Sequence, residues 1–292
     1  MYEEKLQELL KDQPPTSILP VPPFPCHNHR MKRLIPILPV LLLILSGCQT
    51  TSGPTGFYSS ASENQVKIRK GNALTCISSK GIPNHSIGLF PARGNPNSFL
   101  PQNLKYCFPS KPKKHIAFKN IAKVVGITVT GIPIRPGTAG WYDSSSPRKH
   151  SRNSSSGWNL EAIRPFEKKF GIDDNNGHVD HRGLYHYHKM TGELLKGDKT
   201  LIGYAADGYE IQYLGKKIKS SWQLRKGTRP TSPFGNYDGS FKQDYEYARG
   251  SGDLDECNGR EYNGKYTYFA TETFPFFPRC HWGHIGRDFL RP

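Results

Sequence analysis

The chain has 292 residues, with 40 Lys and Arg against 24 Asp and Glu, a formal charge of +16, and 12% aromatic residues, 29 Gly and 24 Pro. The basic excess points to anionic partners, and the Gly and Pro content excludes a long-helix bundle in favour of many short strands and turns. The cationic side chains fall in short clusters such as Lys111, Lys113 and Lys114, or Arg225, Lys226 and Arg229, with no aromatic stripe between them. Anionic lipid or polysaccharide is therefore expected as a partner, and nucleic acid is not.

Residues 1–30 carry Glu3, Glu4, Glu8 and Asp12, the wrong sign for a targeting leader, and read as an overextended start, with Met31 the better initiator. Met31, Lys32 and Arg33 then supply a positive segment, residues 34–45 an apolar run, and Leu45-Ser46-Gly47-Cys48 a closing box. A membrane span needs roughly 20 apolar residues, so residues 31–47 read as a signal peptide. The box resembles that of bacterial lipoproteins, which implies that Cys48 is diacylated and becomes the mature N-terminus. Two acyl chains hold a protein stably in a membrane. By the same resemblance Gln49 favours the outer membrane, so the expected location is the cell envelope, lipid-anchored, on the periplasmic or surface side. Removing residues 1–47, with five basic and four acidic side chains, leaves a charge of about +15.

Residues 48–62 are rich in Ser, Thr and Gly and read as a tether. Residues 63–118 form an N-terminal lobe and residues 119–292 the main domain. Setting aside Cys26 and Cys48 leaves Cys76, Cys107, Cys257 and Cys280, an even set that outside the cytoplasm reads as two disulfides. Of three pairings, Cys76 with Cys107 and Cys257 with Cys280 is preferred, because each closes a local loop. No Cys-x-x-Cys spacing supports a thiolate metal site.

In the main domain, residues 121–134 are β-branched and half alternating, the strongest strand signal, broken by Gly126 and Gly131. Residues 143–156 are Ser-rich and basic and read as a surface loop. Leu160, Ile163, Phe166 and Phe170 have helical spacing, with Pro165 shortening any helix. Residues 203–214 read as a hairpin turning at Asp207-Gly208. The fold expected is mainly β, sandwich- or barrel-like with short helices, and disulfide-stabilised.

Between these elements stands Tyr185-His186-Tyr187-His188. In an extended strand the tyrosines share one face and the histidines the other, with the histidine Cα atoms roughly 6 to 7 Å apart. A three-residue turn at 181–183 would set His178 opposite His186 on the same face, whereas a two-residue turn would put it opposite Tyr185. Gly183 suits the left-handed position of the longer turn. A second stretch, Gly264-Lys265-Tyr266-Thr267-Tyr268-Phe269, repeats the glycine and both tyrosines about seven residues after an Asn-Gly pair, as the first does. The tyrosines then read as packing residues and the histidines as something local to the first copy.

The blocks running from Gly171 to Val179, from Gly183 through the Tyr-His-Tyr-His run, from Leu201 to Gly208, from Asp253 to Arg260 and from Thr273 to Cys280 together resemble the YHYH domain family of secreted and surface proteins, over about residues 120–283. As the family is known, its second copy often keeps a His where Thr267 stands here. The resemblance supplies boundaries but no activity.

His178, His186 and His188 are the candidate metal ligands. Neutral imidazoles favour copper or zinc. Asp207, Asp255, Glu256 and His281 are candidates for a further ligand or an acid-base role, with His284 nearby. The first functional reading is a lipid-anchored envelope protein that binds a metal or small ligand through this strand face. An extracytoplasmic hydrolase or oxidoreductase using the same histidines is an alternative, although no Gly-x-Ser-x-Gly elbow or free nucleophilic cysteine is present. A structural, adhesin-like surface module is another.

Overall fold

The computed structural model describes residues 63–115, 121–163, 167–195 and 199–291. The start, signal peptide, Cys48 and tether read from residues 1–62 lie outside them. Strands β1 (Lys67–Lys70), β2 (Leu74–Ser79) and β3 (Leu104–Pro109) form an antiparallel sheet. Cys76 and Cys107 sit directly opposite each other in it and are disulfide-bonded. The second disulfide joins Cys257 to Cys280.

The larger sheet has eight strands. In chain order they are β4 (Gly126–Thr128), β5 (Pro133–Ile134), β8 (Gly177–Val179), β9 (Tyr185–Tyr187), β10 (Leu201–Ala205), β11 (Glu210–Tyr213), β14 (Gly259–Tyr262) and β15 (Lys265–Ala270). Two small hairpins complete the strands: β6 (Trp141–Tyr142) with β7 (His150–Ser151), and β12 (Trp222–Leu224) with β13 (Tyr245–Tyr247).

The spatial order β14-β15-β11-β10-β4-β5-β9-β8 is a pseudo-two-fold arrangement. Each half is a hairpin, β4–β5 or β10–β11, whose second strand runs parallel to β9 or β15, which pairs antiparallel with β8 or β14. The halves meet at β4 and β10, where Ile127 faces Tyr204 on the axis. A shift of 77 superposes Gly126 on Gly203, Gly131 on Gly208 and Ile134 on Ile211; the two isoleucines pair with Tyr187 and Tyr268. The repeat seen in the tyrosine stretches thus extends to four strands in each half.

Sheet alternation divides the side chains. Tyr185, Tyr187, Ile134, Ile211, Tyr266 and Tyr268 belong to one buried cluster, whereas Ile127 and Tyr204 pack with Ile77, Phe108 and Phe289 on the other side. Residues of the N-terminal lobe therefore share a core with the main sheet.

Two local readings change. Residues 121–134 form two short strands instead of one: Gly131, at φ +77, turns the chain, and Thr128 Oγ1 accepts the Ile132 N–H. Among the described residues of 160–170, the helix is a four-residue one, α1 (Glu167–Phe170). The Leu160 and Glu161 amides are committed to Gly140 and Ser240 carbonyls, and those pairings override the helical spacing.

Candidate metal centre

Strands β8 and β9 form the hairpin that presents the histidines. Asp180 and Leu184 close its turn, with residues 181–183 between and Gly183 at φ +83. The register is Gly177 to Tyr187, His178 to His186 and Val179 to Tyr185. His178 and His186 therefore share a face, as the three-residue turn requires. His188 joins them as its amide bonds the Asn176 carbonyl. His181, in the turn itself, is exposed.

His188 Nε2 lies 3.2 Å from Nε2 of His178 and 3.2 Å from Nε2 of His186. Two nitrogens bound to one tetrahedral zinc at about 2.0–2.1 Å stand about 3.3–3.4 Å apart, so the spacing suits a shared ion. The other ring nitrogen of each histidine faces a backbone carbonyl: Phe170 at 2.8 Å, Leu184 at 3.3 Å and Pro136 at 3.4 Å. A protonated Nδ1 donating to a carbonyl leaves Nε2 as a bare lone pair. Three such lone pairs facing one another repel unless a cation lies between them.

A proton is disfavoured as that cation. His186 and His188 are 3% and 2% exposed. Burial, followed by the charges of Arg135 and the neighbouring imidazoles, holds His186 well below the usual imidazole range. Burial does the same to His188, with His178 next, and lowers His178 less strongly. The neutral imidazoles that result are the form a metal takes. Among the described residues these three form the one group of His, Cys, Asp or Glu whose ligand atoms converge in this way.

The histidines open onto a cavity of about 570 Å³, bounded by Arg135, Arg148, His150 and Arg152. Sequence reasoning missed these walls. Only Arg135 carried a local signal, since it follows Ile134 and alternation turns it to the histidine face.

Asp207, Asp255, Glu256 and His281 are not brought to the triad. Asp255 and Glu256 lie just before β14, at the opposite edge of the sheet from the β8–β9 hairpin. Asp207 Oδ2 accepts from Tyr268 Oη and the Gly283 amide. Asp255 accepts from the Cys257 and Gly259 amides, Tyr266 Oη and Trp282 Nε1. His281 Nε2 is bonded to the Val125 carbonyl, Glu256 lines a separate cavity with Lys114 and Trp282, and His284 stacks edge-on against His115.

Asp255 has a counterpart in Asp173, which accepts from the Gly177 amide and Tyr185 Oη. Both aspartates stand three residues before the Asn of an Asn-Gly pair, a signal readable in the sequence. Where the first half has His178, His186 and His188, the second has Arg260, Thr267 and Phe269. The duplicated scaffold carries one histidine site.

The fold and site define a duplicated β protein with one buried three-histidine cluster that could hold a metal ion. A family model described as YHYH protein matches residues 105–283, and the chain belongs to that family. The match begins upstream of the expected boundary, within β3. No curated protein matches the chain, and no solved structure does.

Proposed function

We propose that this is a lipid-anchored cell-envelope metalloprotein whose His178, His186 and His188 bind zinc or copper, leaving a coordination position open to the adjoining cavity. The observation that carries the reading is the convergence of three Nε2 atoms while each Nδ1 faces a carbonyl. The envelope location rests on the leader and on Cys48, and an oxidising compartment agrees with two disulfides.

A structural zinc site is closed by four protein ligands, whereas a catalytic one keeps a position for water or substrate. Three ligands beside a cavity favour the second kind, so hydrolysis by a metal-activated water is the enzymatic form of this reading.

The test is elemental mass spectrometry of the full chain purified from its host, beside a His186→Ala, His188→Ala double variant checked for folding by thermal melting. One ion per chain, lost in the variant, is expected. A wild-type chain that takes neither zinc nor copper on reconstitution contradicts the reading.

A further inference from the structure

The cavity in front of the triad is strongly cationic. Arg135 donates to Asp180 at 2.7 Å, which uses part of a five-donor fork. Asp180, which lines the same cavity, also accepts from the Arg182 and Leu184 amides, so its charge is already compensated. Arg148 and Arg152 flank His150 at the β6–β7 hairpin, and both are exposed. None of the ion pairs among the described residues uses either guanidinium. The positive field reaches His150: burial and then Lys169 and Arg148 disfavour its proton.

We propose that this cavity receives a small phosphate-type oxyanion, a phosphate or phosphomonoester, held by Arg135, Arg148 and Arg152 with one oxygen turned toward the triad. The proposal rests on the metal reading for the group that meets that oxygen. Arginine forks match phosphate and carboxylate oxygens alike. A tetrahedral dianion fits better here, because the guanidiniums come from two separate elements and the triad forms a further wall. A carboxylate has two oxygens and one charge to offer to all of them.

The experiment is calorimetric titration of the metal-loaded full chain with inorganic phosphate and, separately, acetate, repeated on an Arg148→Ala, Arg152→Ala variant. Metal content is measured on every sample. Each lost charge-assisted contact weakens binding by about tenfold or more, so the variant is expected to bind phosphate at least tenfold more weakly at unchanged metal content and melting temperature. Acetate should bind more weakly than phosphate. No phosphate binding by the wild type, an unchanged affinity in the variant, or acetate equal to phosphate would overturn the proposal. If no sample holds metal, the metal reading fails separately, and the same phosphate titrations still decide the role of the arginines.

Discussion

His186 and His188 sit in a sheet face yet are nearly sealed from solvent, and that burial has a consequence for stability. Their folded pKa values, with that of His178, lie below the unfolded value near 6.5. Above that value both states are neutral and the fold incurs no penalty. As pH falls through it, the unfolded chain takes up protons that the fold refuses, so stability present at neutral pH is lost. Thermal melts of the metal-free protein should show the transition temperature falling between about pH 7 and pH 5. A flat profile would mean that the imidazoles are not held neutral. A bound metal competes with protons for the same nitrogens, so metal should also be released over the acid side of this range.

The hairpins β8–β9 and β14–β15 are built on one plan. In each, an aspartate holds a glycine amide and a tyrosine hydroxyl, and the tyrosine ring lies over the glycine that begins the strand. A methyl group at Gly177 would run into the Tyr185 phenol, and one at Gly259 into the Tyr266 phenol. Overpacking of this kind costs about 1–3 kcal/mol. Urea unfolding of Gly177→Ala and Gly259→Ala should therefore show similar losses, with metal content falling only in Gly177→Ala. Equal metal content in both would separate the hairpin geometry from the site.

At this scale much was legible in the sequence. Alternation separated tyrosines from histidines, and the turn glycine set the register of His178. Asp207, Asp255, Glu256 and His281 have the chemistry of metal ligands, which is all that the sequence shows of them. Their separation from the site depends on strand order across the duplicated sheet, which local pattern does not encode. Arg148 and Arg152 have the sequence pattern of a solvated loop, because what brings them to the histidines is tertiary.

For the whole molecule, one disulfide joins β2 to β3 within their sheet, and the other joins the segment before β14 to the segment after β15. Closing loops of 31 and 23 residues contributes roughly 3 to 4 kcal/mol each in the chain-entropy account. Unfolding in reductant should shift to markedly lower urea, and an unchanged midpoint would contradict a stabilising role. The proposed lipid anchor at Cys48 is tested separately: metabolic labelling with palmitate should mark the wild type and leave Cys48→Ser unmarked. Label in both would remove Cys48 as the anchor. Residues 48–292 carry a charge of about +15, which would favour the proposed setting against anionic lipid or polysaccharide.

The central claim is that His178, His186 and His188 bind one metal ion through Nε2, and X-ray absorption at the metal edge of the purified full chain tests it most directly. Three imidazole nitrogens at about 2.0–2.1 Å with one oxygen ligand are predicted. A thiolate shell, an all-oxygen shell, or the same spectrum from the His186→Ala, His188→Ala variant would contradict it.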